Sequence, residues 1–352
     1  MKSYIIFFLT LISFSTQFGS LFAQQDTIRV LHFTRTKEYD HNTRNQSRSM
    51  IEDIAAEETD STKYYEVISD NTGSEFDDLS GYRIVIFANT TGNNGINATQ
   101  RANLEAWFSS PSQGAGRKII GIHGASDSWW HSTANGSNTG NWDWYAEHAI
   151  GVTIQRSPNH TSSNHTDSVF CDQSSAVATG IPYLTIKKEE FYYWENGYLN
   201  LSFDPWLTVG RTGSNSYDAP RMLAHSKKHT NGAESHYTSM GHSGNDYTNT
   251  DPGDNGWILK QTIRNMMTVT LPDPTPFGII FPEASKTPEI LEPGFFYLEQ
   301  TPIVPLYEVA DMAGRIVQKG IIEGNRVPVM KQSGLWMYRV YGRVWVAGVV
   351  NN

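Results

Sequence analysis

The chain predicts an α/β protein built on a doubly wound parallel sheet, followed by a small all-β module. Three observations carry this reading. Apolar, β-branched runs alternate with helically spaced segments between residues 27 and 122. The run Lys118-Ile-Ile-Gly-Ile122 stops at His123-Gly124, as a buried parallel strand does when it delivers a side chain to its carboxyl end, where open α/β sheets bind ligands. After Pro293, short segments alternate with period two and are separated by turn residues.

Residues 27–33 form the predicted first strand, and 44–58 a helix whose inner face carries Met50, Ile51, Ile54 and Ala55. Residues 64–68 and 83–88 follow as strands. A helix is predicted over 99–108, capped by Thr99, with Leu104, Trp107 and Phe108 inward. The strand 118–122 comes next. Beyond Trp129 the pattern gives way to Gly/Asn/Ser/Thr-rich loops, where specificity is expected. Residues 257–267 have the spacing of an amphipathic closing helix, with a Pro-rich linker after it. Terminal strands are predicted at 306–310, 316–319, 334–340 and 343–347.

The expected organisation is therefore a signal peptide at 1–23, a catalytic α/β domain at 24–270, a linker at 271–295 and a β-sandwich module at 296–352. Met1-Lys-Ser, the apolar stretch from Tyr4 to Ile12 and the small-residue end at Ala23 have the n-, h- and c-regions of a secretory leader. The apolar run is too short to span a bilayer, so no transmembrane segment is expected after cleavage. Cys171 is the sole cysteine, which excludes an intramolecular disulfide framework. A net charge of −9 without a Lys/Arg cluster argues against a nucleic-acid partner. Charged residues at 18% beside 10 Trp and 17 Tyr suit an exported protein that meets sugars.

Ile28-Arg-Val-Leu-His-Phe-Thr34 with Tyr39-Asp-His41, then Ile84 to Gly92, Gly121 to Asp127, Trp142-Asp-Trp-Tyr145, Glu189-Glu-Phe-Tyr192 and Tyr237 to His242 stand in the order of the motifs of the ThuA-like (trehalose-utilisation) family, which the chain resembles over residues 28–267. The resemblance implies a flavodoxin-like sheet related to class I glutamine amidotransferases and a role in sugar metabolism. The terminal segments resemble the type IX secretion sorting domain of Bacteroidota. They depart from it at Gly348-Val-Val-Asn-Asn352, which lacks the usual Lys-rich final strand. That second resemblance implies passage through the periplasm of a Gram-negative cell to the surface or medium, with the type IX machinery as a partner.

In an amidotransferase-like sheet, the turn after Ile122 is where those enzymes hold a strained nucleophilic cysteine in a Gly-x-Cys-x-Gly elbow. His123 stands there instead, and Cys171 lies far along the chain, so thiol-dependent amide hydrolysis is excluded. Ser126 lacks the second glycine an elbow needs, which disfavours a serine hydrolase. Imidazole and carboxylate chemistry remains. His41, His123, Glu190 and His242 match the ionisable residues of the family motifs, with Asp127 four residues beyond His123 and Asp40 as an orienting partner for His41. Such a set splits acid and base roles or shares a divalent metal such as zinc, for which His41, His123 and His242 are the candidate ligands.

Asn89, Thr90, Thr91 and Gly92 fit a hydroxyl-binding strand end. Trp142, Trp144, Tyr145, Tyr192 and Trp194 are candidate stacking platforms for a pyranose, whereas Trp129 and Trp130 suit a core or lid. The segment 251–256 is read as a turn rather than a calcium loop, lacking the distal Glu. His225, His229 and His236 are expected on an edge hairpin. The functional expectation is hydrolysis of a glycosidic bond in an oligo- or polysaccharide. The alternatives are isomerisation or elimination on a keto-sugar, and carbohydrate binding without turnover.

Overall fold

The computed structural model describes residues 25–110, 116–134, 141–199 and 203–273, together with six short terminal strands. The leader at 1–23 and nearly all of the linker lie outside the described residues.

The first half alternates strand and helix as the periodicity predicts: β1 (Asp26–Phe33), α1 (Arg44–Glu58), β2 (Lys63–Asp70), β3 (Tyr82–Ala88), α2 (Ala98–Ser109) and β4 (Lys118–Ile122). The cap of α2 differs from expectation. Asn97, not Thr99, accepts from the backbone N–H of Gln100, and the Gln100 side chain accepts from the N–H of Asn97, a reciprocal capping box.

The second half departs further from the sequence reading. Residues 152–238, expected as loops apart from the hairpin that carries His225 to His236, hold seven strands: β5 (Val152–Ile154), β6 (His165–Cys171), β7 (Leu184–Glu189), β8 (Trp194–Leu199), β9 (Asp204–Val209), β10 (Arg221–Lys228) and β11 (Glu234–Thr238). Two short helices follow, α3 (Asn245–Thr248) and α4 (Trp257–Thr268). One sheet of nine strands runs β2-β1-β3-β4-β11-β10-β9-β6-β7. Its first five strands are parallel, in the flavodoxin-like order, and the remaining pairings are antiparallel. The sheet is therefore mixed rather than wholly parallel. The β10–β11 hairpin lies inside it, because β11 pairs with β4, so His225 and His236 are buried interior residues rather than edge ones.

Side chains alternate strictly across the parallel strands. Val30, Ile84, Ile86, Ile120 and Ile122 face α1 and α4, packing with Met50, Ile51, Ile54, Leu259 and Ile263. Leu31, Phe33, Val85, Phe87 and Ile119 face α2 and a helical turn at Tyr145–Ile150. Each of these fully buried aliphatic or aromatic side chains contributes about 1.5–3 kcal/mol, which is what clamps the sheet between its helical layers.

The terminal strands β12 (Phe295–Tyr297), β13 (Leu306–Ala310), β14 (Ile316–Ile321), β15 (Arg326–Pro328), β16 (Gly334–Val340) and β17 (Val346–Val350) pair among themselves, in a four-stranded antiparallel sheet β14-β13-β16-β17 and a β12–β15 pair. The last strand begins three residues later than expected.

Candidate active site

The carboxyl edge of the parallel strands collects four loops. His41 follows β1, Asn89 follows β3, His123 follows β4 and His242 follows β11. Glu190 comes from much further away in the sheet. It follows β7, five places from β4, a separation of about 24 Å if the sheet were flat. Yet Glu190 Oε2 lies 3.5 Å from His123 Nε2 and 3.1 Å from His242 Nδ1. The antiparallel half must therefore coil back over the carboxyl edge.

His123 sits in the left-handed region with φ of 44°, at the turn that follows β4. Holding a non-glycine residue there costs about 1–3 kcal/mol, so the neighbours must over-determine it. They do. Nδ1 donates to the Ser239 carbonyl at 2.6 Å, the Tyr237 hydroxyl donates to the His123 carbonyl at 2.9 Å, and Gly124 N–H donates to Asn89 Oδ1 at 3.1 Å. A β-carbon on Gly124 would lie 3.0 Å from Thr91 Cγ2 and 3.2 Å from the Thr90 carbonyl, so a larger residue would have to push these neighbours back by a few tenths of an ångström. Because a carbonyl can only accept, Nδ1 of His123 carries a proton, and in the neutral ring the lone pair lies on Nε2.

Glu190 is gripped from three sides. His242 and His123 meet Oε2, and His160 Nδ1 lies 3.1 Å from Oε1. One nitrogen or carboxylate oxygen from each of His41, His123, His242 and Glu190 lies within 4.8 Å of all the others. Rings of His41 and His123 meet edge to face at 4.8 Å, and His41 and His242 at 5.3 Å.

Burial, then the nearby His123 and His242, pushes His41 down to about 2, so its imidazole is neutral. Burial would raise Glu190, but its contacts with His123 and His242 outweigh it and hold the carboxyl below its ordinary range. Burial would lower His242, and the bond and charge of Glu190 reverse that, raising it. Asp127 is pushed up to about 6 by burial, against the Trp130 Nε1–H donated to it at 2.8 Å. Imidazoles beside a carboxylate are the donor set of a divalent transition metal. Nδ1 of His41 is buried with no hydrogen-bond partner among the described residues, as expected of a ligand ring rather than a structural one. The residues fit such an ion.

The structure brings together His41, His123, Glu190 and His242, and places Asp127 at the end of the short 3₁₀ turn that His123 begins. Tyr192 also reaches the site, its ring lying against His123 at 4.4 Å, but it is enclosed and acts as a floor.

Other expectations are corrected. Asp40 pairs with Arg44 at 2.6 Å instead of orienting His41. Trp142 and Tyr145 are buried, stacked on each other, with Trp142 donating to Glu105 and Tyr145 to the Ala125 carbonyl, so neither offers a face to a sugar. Asn89 is a bracket rather than a ligand: its Nδ2 faces Thr43 Oγ1, the Gly241 carbonyl and the Tyr247 hydroxyl, tying the loops after β1 and β11 together. Thr90 accepts from Ser128, Thr91 donates to the Tyr39 carbonyl, and Gly92 gives way to Glu38, whose Cγ would be 2.6 Å from an added β-carbon. Cys171 is buried in β6, pushed up to about 12 by burial, as expected of an inert thiol.

Several residues that position the cluster were not singled out in the sequence. Glu189 accepts from the N–H groups of Gly241 and His242 and pairs with Lys187, which also pairs with Asp246. This buried network pins the His242 loop to the end of β7. His160 completes the grip on Glu190. The adjacent acidic pair Glu189-Glu190 was the available signal; only the coiled sheet shows which carboxylate faces the imidazoles.

These features define a class: an α/β protein with three histidines and a carboxylate converging at the carboxyl edge of a flavodoxin-ordered sheet. The chain belongs to the ThuA family, described as trehalose utilisation, whose family model matches residues 29–254. Among solved structures it is similar to a ThuA-like protein from Bacteroides uniformis, at 16% identity and a TM-score of 0.51, over 72% of this chain and 96% of that one. It is also similar to a ThuA-like protein from Parabacteroides merdae, at 14% identity and a TM-score of 0.42, over 69% and 88%. A glutamine amidotransferase from Thermotoga maritima matches at 13% identity and a TM-score of 0.34, over 68% and 96%. No curated protein matches the chain.

Proposed function

We propose that the chain is an exported carbohydrate-processing enzyme in which His41, His123 and His242 hold a divalent metal such as zinc beside Glu190. The carrying observation is the convergence of the four ligand-type atoms within 4.8 Å. A bound ion of this kind polarises a sugar oxygen or lowers the pKa of a bound water. The remaining chemistry belongs to the chain. Glu190, held ionised, is the base. Asp127, pushed up to about 6, keeps a proton available near neutrality and is the acid. His160, its side chain 32% exposed and 3.1 Å from Glu190, links the buried carboxylate to solvent.

Two carboxyls whose environments drive their pKa values apart suit hydrolysis of a glycosidic bond in an oligo- or polysaccharide. A second reading, isomerisation or elimination on a keto-sugar, is favoured by one observation: Glu190 is the sole carboxylate within the four-residue cluster. The test measures metal content of purified protein by mass spectrometry, then follows two reactions of the metal-loaded protein. Release of reducing ends from trehalose or maltose supports hydrolysis; deuterium uptake into a keto-glucoside in heavy water supports proton transfer. Protein that takes up no metal under either condition removes the metal from the reading.

Export is supported by the leader-like residues 1–23, and sorting by the period-two strands from Leu306 onward. Removal of residues 296–352 should strand the protein in the periplasm of a native host. Its normal arrival in the medium would overturn the sorting assignment.

A further inference from the structure

Of the aromatic platforms proposed from sequence, Trp142, Tyr145 and Tyr192 are enclosed, and Trp144 and Trp194 are half-buried and packed against the core, which leaves room for another residue to supply the sugar-stacking ring. Six large apolar or aromatic side chains stand out as exposed among the described residues, and one of them touches the cluster. Tyr39 is 65% exposed, and its ring meets the His41 ring edge to face at 4.8 Å.

Its backbone is not loose. The Tyr39 carbonyl accepts from Thr91 Oγ1 at 2.7 Å, the Lys37 N–H donates to the Thr91 carbonyl at 2.8 Å, and Gly92, at φ of 74°, lets Glu38 pack where a β-carbon would collide. Asp40 next to it accepts from the Asn42 N–H and pairs with Arg44. A large aromatic ring is thus held out into solvent on a loop fixed on both sides, beside a candidate metal ligand. An exposed tyrosine in that position has no folding role that its exposure would serve; a ring presented by an ordered loop loses little further conformational freedom when a ligand covers it.

We propose that Tyr39 is the stacking platform for a pyranose ring of the substrate, which lies with its apolar C–H face on the tyrosine ring and its hydroxyl edge toward His41, His123 and His242. The inference rests on the carbohydrate reading given above. A pyranose suits the place because its axial C–H groups carry partial positive charge toward the negative face of the aromatic ring, while its hydroxyls remain free for the polar cluster next door. The phenol hydroxyl is not required for this contact, and the ring is.

The test uses the full chain and titrates it with trehalose and with methyl α-glucoside, followed by calorimetry or ligand-observed NMR, with sorbitol as an acyclic control. Tyr39→Ala should weaken trehalose binding about tenfold, Tyr39→Phe should stay within about twofold, and Tyr39→Trp should bind as well or better. Zinc affinity, measured by chelator competition, should be the same in all four proteins. Unchanged trehalose binding in Tyr39→Ala overturns the platform while leaving the carbohydrate reading intact. Failure of the wild-type chain to bind either glucoside overturns the carbohydrate reading, and the platform with it. Loss of binding in Tyr39→Phe equal to that in Tyr39→Ala would assign the effect to the hydroxyl and overturn stacking.

Discussion

Nδ1 of His123 donates to the carbonyl of Ser239 at 2.6 Å, so the proton on that ring is fixed on the side away from Glu190. The bond joins the turn after β4 to the segment after β11, and in the neutral ring it puts the lone pair on Nε2, the nitrogen that faces the carboxylate. Tautomer selection by a partner on the far nitrogen is the usual way a ligand histidine is oriented.

Replacing His123 should therefore abolish function without unfolding the domain. His123→Ala removes one imidazole and also relieves a strained left-handed residue only in part, since alanine carries the same β-carbon. Loss of activity by at least ~10²-fold, with retained circular dichroism and thermal midpoint within a few degrees, is expected. Glu190→Gln should lose turnover on the same scale. Wild-type turnover in folded His123→Ala would remove it from the site.

The pH dependence of stability should carry the signature of Asp127. Its carboxyl is raised from 3.8 to about 6 in the folded protein, so the folded state binds the proton more tightly than the unfolded chain does. The stabilisation this supplies is complete below pH about 4 and is lost as pH rises through about 6. Asp127→Asn, which keeps an oxygen for Trp130 Nε1–H, should leave the thermal midpoint little changed at pH 4 and raise it relative to wild type at pH 7.5. Equal midpoint differences at both values would contradict the shift.

Breaking the buried network under the His242 loop should be costly. Lys187 is fully buried between Glu189 and Asp246, and a buried cation that loses a partner costs about 3–5 kcal/mol. Glu189→Ala is expected to destabilise by that order in urea melts. It should also lower metal affinity through displacement of Gly241 and His242, whose N–H groups Glu189 accepts. A variant that lost metal but not stability would show that Glu189 touches the cluster rather than supporting it.

The boundary of the α/β unit lies slightly beyond α4. Leu271 is buried, its N–H donates to Glu234 at 2.8 Å, and Lys228 donates to its carbonyl and pairs with Asp273. A chain ending after Asp273 should fold with cooperative melting, whereas one ending after Val269 should melt several degrees lower, because Glu234 loses a donor and Leu271 its burial. Identical midpoints for the two would show that these contacts are dispensable.

Much of the parallel half was legible in the residues. Strands β1, β3 and β4 are apolar runs buried on both faces, and helices α1 and α4 have apolar stripes at helical spacing; both signals depend only on near neighbours in the chain. The capping of α2 was misassigned by two residues because Asn97, Thr99 and Gln100 all offer cap chemistry, and the choice depends on where the backbone turns. Strands such as β7 were missed because their alternation is diluted by polar interior residues such as Lys187 and Glu189, which are satisfied by contacts with Asp246 and Gly241 in distant elements.

The residue types at the site followed the same division. By itself the sequence determined that a histidine would stand at the carboxyl end of a buried strand, that no thiol could serve there, and that His41, His123, Glu190 and His242 were the ionisable residues worth watching. The first two conclusions rest on local pattern and on chemistry that each side chain carries wherever it lies, and the set of four on the resemblance to the ThuA-like motifs. Only the tertiary structure decided that the four meet at one point, that Asn89, Trp142 and Tyr145 are spent on holding the fold, and that Tyr39 is the ring left open. The physical reason is the coiling of the sheet: it carries β7 from the far edge back to β4, and no property of residues near Glu190 in the chain encodes which distant strand end its carboxylate will reach.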